Sequence, residues 1–555
     1  MEQNLPRNRY KTLVIIVSSV FFSLLVLISL LGLWGLKPLL TKRIQTAVME
    51  STNGLYAIDF KSLQYDVLSG NAKVSEVIWR ADSTVFDGLR KENKLPDNIY
   101  EAKVDKIELT GLRPWTIIFS KKLHLNSIVI NSPIIDVLHQ KQPYNSLKTA
   151  KSPYQIISKF VKSFEVEKVS FDNITFNYTN LSNPQKPQHS KVENLDLMVS
   201  NFLIDSTSHI DKQRFYYTKE CIFKLKKVEV SSQDSLNVFA VNSLVFSTKS
   251  RSLTIGDLRY QPRYQPIIYG NKSNGEDRIL IACKNLELTG ISLQKLFFEK
   301  KLYANNLLIK SGFINVFTDT RLFNTPPKGN FRPYPPKAFK DLAFKMCIDT
   351  VNLKHFNITY SEYNPETKLV GNVKFRQVHG SILNCTNDTL PLAQNSNSIF
   401  SLKAKLMNKA DMFLKFNFDL NSNNESFICQ GEVVKMQANA VNQVLKSLVM
   451  AEIKAGFIES FSFNLKGNKM GVKGSSIMLY KGLDVMIYKQ KNGFGHFKKR
   501  KFLSFIANSF MIKNSNPIRE KPVRIAKINY TRVPNKAFFY TIWKSLVDGI
   551  YGSVI

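Results

Sequence analysis

One stretch of this chain occurs twice. Residues 104–138 read VDKIELTGLRPWTIIFSKKLHLNSIVINSPIIDVL and residues 283–317 read CKNLELTGISLQKLFFEKKLYANNLLIKSGFINVF. They align without a gap at an offset of 179. Glu108, Leu109, Thr110 and Gly111 fall on Glu287, Leu288, Thr289 and Gly290, and Asn126 falls on Asn305. Apolar character persists where identity fails: Ile128, Ile130 and Ile134 stand against Leu307, Ile309 and Phe313. The flanks follow at nearly the same spacing. Residues 60–79 overlie 241–260 at 181, Pro153-Tyr154 overlies Pro333-Tyr334, and residues 169–178 overlie 351–360 at 182. Self-similarity at a fixed spacing marks one architectural unit used more than once. The chain therefore reads as a unit of about 180 residues in tandem, followed by a distinct C-terminal segment.

Within the unit the hydrophobic pattern has a period of two, as half-buried strands require. Ile107 and Leu109 share one face with Glu108 on the other; Leu286 and Leu288 flank Glu287 in the same way. Residues 113–120 and 292–299 read as short helical or bridging pieces between paired strands. The expected fold is mainly β: an elongated, curled antiparallel sheet forming a groove, with a few short helices. At about 4.8 Å per strand, some 20 to 25 strands would give a groove of roughly 100 to 120 Å. Long strands with one apolar face need a cover. A sandwich or barrel supplies protein; an open sheet can supply lipid. Alternation alone leaves both readings open.

The chain begins with a different signal. Residues 13–36 carry no charge, enough to cross a bilayer with some tilt. Arg7, Arg9 and Lys11 precede them; Lys37, Lys42 and Arg43 follow. The expectation is an uncleaved single-pass anchor with residues 1–12 cytoplasmic and the bulk of the chain exported. Residues 37–55 continue as an amphipathic helix and linker, closed by Asn53-Gly54. The β-rich repeats are expected over 56–236 and 237–394, and the C-terminal β segment over 395–555. In that segment the pattern predicts a helix over 437–455 with Gly456 as its C-cap. A hairpin follows, with Gly467-Asn468 in the turn. A terminal aromatic helix places Phe539, Trp543, Leu546 and Ile550 on one stripe, with Lys544 and Asp548 opposite.

Composition bears on partners. The formal charge is +34. A surplus this large speaks of solubility and association, not fold. Nucleic acid would need a recognition motif, and the sequence carries none. An anionic membrane surface fits the anchor, with Lys498, Lys499, Arg500 and Lys501, and Phe539, Trp543 and Leu546, as membrane-surface candidates. The terminal helix could equally cap the open end of the sheet. No catalytic motif, cofactor motif or metal-ligand spacing is present, so the chain does not read as an enzyme. Cys221, Cys283, Cys347, Cys385 and Cys429 are scattered and odd in number, which argues against a disulfide scaffold.

The anchor, the short helix, Thr52-Asn53-Gly54, the alternating strands and the repeated LTG…KKL unit together resemble the AsmA-like proteins of diderm bacteria. Residues 128–138 with Pro133 match that family's recurring strand pair; the second copy departs by placing Gly312 where Pro133 stands. Residues 455–480 resemble the family's C-terminal portion. The resemblance implies an inner-membrane anchor, a periplasmic β-groove and a role in phospholipid transport or outer-membrane homeostasis, without catalytic residues or cofactors. It makes phospholipid acyl chains the expected ligand of Ile107, Leu109, Ile128, Ile130 and Ile134, and of Leu286, Leu288, Leu307, Ile309 and Phe313. A groove shorter than the envelope implies a protein partner or an oligomer. The competing expectation is an exported, membrane-anchored scaffold whose sheets cover themselves, in which these residues are ordinary core.

Overall fold

In a computed structural model, residues 37–555 are described apart from 67, 114–115, 117–118, 144–152, 159–160, 183–186, 233, 274, 320, 322–331, 491–496, 500–511 and 535. The expected anchor at 13–36 and the tail before it lie outside the described residues. Among the described residues no helix is long and apolar enough to cross a membrane.

The fold is mainly β, and mostly antiparallel. The chain divides into two compact units. The first comprises residues 1–228 and 242–253, the second 229–241 and 254–555.

Unit 1 opens with helix α1 (Lys37–Ser51), which Asn53 and Gly54, both left-handed, bring to an end. The strands β1 (Tyr56–Asp66), β2 (Asn71–Ala81) and β3 (Asn98–Thr110) pair antiparallel in sequence order. Helix α2 (Ser83–Lys91) interrupts them, capped by Asp82, whose carboxylate accepts the Val85 amide at 3.0 Å. Both β4 (Lys122–Asn131) and β5 (Ile134–His139) pair with β3. The chain then crosses over through α3 (Pro153–Ile157), and β6 (Ser163–Asn180) lies parallel to β4 and β5. Antiparallel pairing resumes with β7 (Gln188–Ile204) and β8 (Glu220–Ser231).

Next come β9 (Asn237–Ser247), β10 (Ser252–Pro262) and α4 (Pro266–Lys272). In unit 2, β11 (Arg278–Thr289) pairs antiparallel with β12 (Lys301–Asp319) across α5 (Leu293–Phe298). A crossover through α6 (Pro335–Lys340) sets β13 (Lys345–Asn364) parallel to β12. From there β14 (Leu369–Thr386), β15 (Asn397–Leu406), β16 (Ala410–Asp419), β17 (Phe427–Gln437), β18 (Ala451–Asn468) and β19 (Gly471–Gln490) form an antiparallel meander. Helix α7 (Thr389–Gln394) joins β14 to β15, and α8 (Asn442–Val449) joins β17 to β18. Strands β20 (Phe497–Lys499) and β21 (Ala526–Thr531) both pair with β19, and α9 (Phe538–Val554) packs on β19 and β21.

The duplication is written into the registers. Ile107 faces Ile130 and Leu109 faces Ile128; at offset 179 Leu286 faces Ile309 and Leu288 faces Leu307. The parallel step repeats too, Ile128 beside Val169 and Leu307 beside Val351. Irregularities match as well. The pairing of β6 with β7 slips on either side of Ile174, and that of β13 with β14 slips on either side of Phe356. Asn173 and His355, the residues just before, are left-handed in both copies. Strands β1 and β2 span residue ranges that β9 and β10 repeat at an offset of 181.

Several expectations are corrected. The sheet is not wholly antiparallel. Each repeat contains one parallel crossover, because the connection after β5 or β12 is long enough to return the chain to the end at which the preceding strand began. The helices of those connections begin at Pro153 and Pro335, two residues from the alignment of Pro153 with Pro333. The expected helix over 437–455 is much shorter. A 3-10 turn over Ala438–Val441 leads into α8, Met450 ends it in the left-handed region, and β18 begins at Ala451. Pairing decides this: Ala451 lies opposite Ile487, and the Asn442 side chain bonds both the amide and the carbonyl of Ile453. A strand partner outweighs local helix preference. Gly456 consequently sits within a bulged strand. The β18–β19 turn is Lys469-Met470, with Asn468 paired to Gly471.

Candidate functional site

The residues expected to line a groove divide by repeat. In unit 1, Ile107, Leu109, Ile128 and Ile130 are buried, between 1% and 7% exposed. They belong to one core cluster that also takes Ile44 and Val48 from α1 and Ile157 from α3. Half-buried Val85, Phe86 and Leu89 of α2 pack against it. Gln45 donates to Asp59 of β1 at 3.1 Å, fixing α1 on the strand. Helices thus cover this face, and four of the five repeat-1 candidates are interior residues. Ile134 is apart from them, 40% exposed.

In unit 2 the equivalent positions are built the same way but covered differently. Leu286 and Leu288 are buried; Leu307 and Ile309 are half-buried. Leu286, Leu307 and Ile309 join Cys283, Phe356 and Val378, with half-buried Leu258, Ile281, Leu353, Ile358 and Phe375 around them. Every described member of this cluster comes from strands β10 to β15; at one side Ile314 and Phe375 also pack in an adjoining cluster with Val444 and Leu448 of α8 and Tyr540 of α9. At about 4.8 Å per strand the apolar face is about 24 Å across.

Three local features shape that face. Gly290 takes a φ of +70°, and a Cβ there would stand 2.6 Å from the Asn305 side chain, so the turn after β11 is closed by a Gly–Asn pair. Gly111 and Asn126 make the same pair in repeat 1. Gly312 admits the Phe356 ring: a Cβ would lie 2.4 Å from its Cζ and 2.6 Å from the Ala282 carbonyl oxygen. The bulge at His355 keeps Phe356 on the apolar side. Phe313 is not brought together with the others. It is 37% exposed and lines a polar cleft with Asn315, Asn357 and Arg376.

One end of the face is pinned electrostatically. The buried Asp388 carboxylate accepts the Tyr303 hydroxyl at 2.9 Å and pairs with Lys301 at 2.7 Å. Burial pushes the Tyr303 phenol well above its ordinary range, helped by Asp388, so the group remains a donor. Burial works against the Asp388 carboxylate, but the bonds from Lys301 and Tyr303 outweigh it and hold its pKa below the usual value. The triad ties β12 to the end of β14.

The C-terminal meander is covered by protein. Phe416, Phe418, Phe427 and Phe463 are buried in a cluster with Tyr334 and with Phe538 and Ile542 of α9. Gly549 seats the helix: a Cβ there would be 2.5 Å from Ser476 Oγ and 2.7 Å from Ile528 Cδ1. Of the membrane-surface candidates on α9, Phe539 is 37% exposed, whereas Trp543 and Leu546 pack half-buried against the cores beneath. Lys544 and Asp548 do not form the expected pair across a solvent face. Lys544 reaches the buried Glu362 at 3.0 Å, and Asp548 accepts the Asn529 amide at 3.3 Å. Lys498 and Lys499 lie in β20, while Arg500 and Lys501 fall outside the described residues.

Sequence reading missed a second charged centre in unit 2. Asp277, 1% exposed, accepts the Thr318 hydroxyl at 2.7 Å and pairs with Arg332 at 3.3 Å. Asp319 pairs with Arg321 at 2.6 Å. Lys536 is fully buried near Asp277, Glu362 and Asp319. Burial lowers its pKa, with those carboxylates opposing the shift. The arrangement anchors the segment leading into α9. The sequence signal was the spacing of single acids on strand ends, which by itself does not reveal burial. Compared with models of known protein families and with curated proteins, the chain gives no match.

Proposed function

We propose that the chain is a membrane-anchored protein whose unit 2 presents an apolar β-face to lipid acyl chains, as the AsmA-like resemblance implies, with residues 13–36 as anchor and the β-rich part in the periplasm. On this reading it takes part in phospholipid transport or outer-membrane homeostasis and catalyses no reaction. The observation that carries the reading is the strand-only apolar cluster of β10 to β15. Half-buried Leu307 and Ile309 keep part of their surface open there, while the equivalent Ile128 and Ile130 of unit 1 are buried in a core that helices join. The cluster's buried and half-buried members form one apolar face, and apolar surface left partly open is where a ligand of that character would lie. Its width of about 24 Å exceeds the roughly 15 Å of one leaflet, half of a 30 Å hydrocarbon core, so an acyl chain fits across it. A curled sheet with such a face would hold tails in the groove and leave head groups in water.

The test is crosslinking of the full-length protein, in membranes, with a phospholipid bearing a photoactivatable acyl chain. Crosslinked peptides should come from β11 to β14, and Ile309→Asp should abolish them while the thermal transition persists. Crosslinks confined to the anchor, with a folded protein, would falsify this reading. One observation favours a second reading, a membrane-anchored scaffold with self-covered sheets. Unit 1 and the C-terminal meander are both closed by their own helices. A scaffold predicts that Ile309→Asp unfolds unit 2 as thoroughly as Ile128→Asp unfolds unit 1.

A further inference from the structure

The polar face of unit 2 carries a site that the acyl-chain reading does not use. A cleft of about 560 Å³ is lined by Arg278 and Arg376, by Phe313 and Phe317, and by the amides and hydroxyls of residues such as Asn357 and Thr359. A second cleft of about 490 Å³ adjoins it, sharing Asn357 and Arg376 and adding Lys374 and Lys409. Among the described residues no carboxylate lines either cleft. Both arginines are held by neutral oxygens. Arg278 Nε donates to the Tyr264 carbonyl at 3.0 Å, and an Arg376 terminal nitrogen donates to Thr359 Oγ1 at 3.4 Å. Each guanidinium offers five N–H donors in a planar fork, more than these bonds use. Four cations along a half-buried surface repel one another unless an anion joins them.

The duplication supplies an internal control. Residues equivalent to Arg278, Asn315 and Arg376 in repeat 1 are Ile99, Asp136 and Glu193, by the shared registers of the two copies. There the surface neutralises itself. Lys191, the counterpart of Lys374, pairs with Glu193 at 2.5 Å, and Asn177 donates to Asp136 at 2.7 Å. The same backbone thus carries a self-compensated surface in one repeat and an acid-free cationic one in the other. Ordinary solubilisation would not remove the acids from one copy alone.

We propose that this cleft pair binds a ligand bearing two phosphates, one taken by Arg278 and the other by Arg376 with Lys374 and Lys409. Guanidinium and phosphate match in charge and in planar, two-point geometry. Arg278 stands in the first cleft, Lys374 and Lys409 in the second, and Arg376 where the two meet, which suits separated phosphates rather than a single one. Phe313 and Phe317 supply an apolar wall for the part between them. Such a ligand could be the headgroup of a bisphosphorylated lipid or a soluble oligophosphate; the chemistry of recognition is shared.

The experiment uses the full chain in a zwitterionic detergent at moderate salt. Inorganic tripolyphosphate is titrated calorimetrically, and flotation is measured with vesicles of phosphatidylcholine alone or with cardiolipin. Arg376→Glu, which installs the repeat-1 residue, is compared with Lys466→Glu, an equal charge change on an exposed strand position elsewhere in the unit. Binding should weaken at least tenfold in Arg376→Glu and less than twofold in Lys466→Glu, with both melting as the parent does. Loss of tripolyphosphate binding identifies a soluble ligand class; loss confined to cardiolipin vesicles identifies a lipid headgroup; either supports the site. Equal weakening by both variants would reduce the effect to net charge and overturn it, as would absence of binding to either probe. Acyl-chain crosslinking is a separate readout, so failure here leaves the groove reading standing.

Discussion

The two repeats share a backbone and differ in what lies over it. The left-handed residues coincide: Gly111 with Gly290, Lys121 with Lys300, Asn173 with His355, Asn194 with Gln377. So do the slips in pairing around Ile174 and Phe356. What diverges is the cover. Ile128 is 1% exposed in a core that α1, α2 and α3 help to close, while its counterpart Leu307 stays half-buried on a face made only of strands. Positions that set the path of the chain tolerate few residues, because φ near +60° and bulge geometry select them. Positions that set what the face meets are free to change. Duplication therefore preserved a sheet and let its two surfaces take different work.

The sharpest way to break that comparison is to place the same charge at matched positions. Ile128→Asp buries a carboxylate in a closed core and should cost upward of about 4 kcal/mol, enough to unfold unit 1. Leu307→Asp leaves its carboxylate reachable by water and should cost about 1 to 2 kcal/mol. Limited proteolysis of the two variants reads this directly. Equal cleavage would mean that both faces are closed, and the contrast drawn above would fall.

Gly312 tests a place where the repeats part in backbone. Pro133 separates β4 from β5, with Ser132 left-handed beside it, whereas β12 runs through Gly312 unbroken. Gly312→Ala should cost about 2 to 3 kcal/mol, because the new methyl meets the Phe356 ring and a backbone oxygen together. Adding Phe356→Leu should recover part of that by removing the ring, and an unchanged melting temperature in Gly312→Ala would show that the ring has room to move. The matched turns should behave alike instead. Gly111→Ala and Gly290→Ala each force a side chain into the left-handed region against an Asn, costing about 1 to 2 kcal/mol. A large difference between them, measured by denaturant titration, would show that the two turns are not equivalent.

How much of this was legible follows from the same division. The repeat and the strand period are local and periodic, so alignment alone matched Leu109 to Leu288 and predicted the bridging piece after each. The parallel crossover was not legible. A strand's direction relative to its neighbour depends on where a long connection returns, and nothing in residues 140–162 or 320–344 states that. The helix expected over 437–455 failed for a related reason: AEIKAGF suits helix or strand until β19 is present to pair with it. The groove residues were half legible. Their alternation marked an apolar face in both copies, but whether α1 or nothing lies over that face is a tertiary fact. The cationic clefts were missed because Arg278 and Arg376 are about a hundred residues apart and meet only through strand order.

The ends of the two repeats allow a finer comparison by pH. Asn98 and His139 share a hydrogen bond of 2.7 Å at the positions where repeat 2 joins Asp277 to Thr318, also at 2.7 Å. The next residue is Gln140 in one copy and Asp319 in the other. Repeat 1 thus closes with Asn98, His139 and Gln140 beside the Asp97 carboxylate, which accepts the Gln142 amide at 2.9 Å, and repeat 2 closes with carboxylates met by Arg332, Arg321 and the buried Lys536. Burial opposes the Asp319 carboxylate, yet hydrogen bonds and charge from Arg321 prevail and hold its pKa below the ordinary value of 3.8. A group whose folded pKa is depressed contributes stability that is fully present above its unfolded value. That contribution is lost as pH falls through the folded value. Acidification below about pH 4 should therefore loosen unit 2 at the segment leading into α9. Asp319→Asn should cost about 1.5 kcal/mol at neutral pH, the lower end of the scale for a hydrogen bond to a charged group, and less as pH falls below about 4. Hydrogen exchange of α9 against α1 across that range measures it. Protection of α9 that falls with acid equally in the parent and in Asp319→Asn would move the cause to another carboxylate. Protection that does not fall at all would mean that the apolar seat on β19 and β21 holds the helix without its charges.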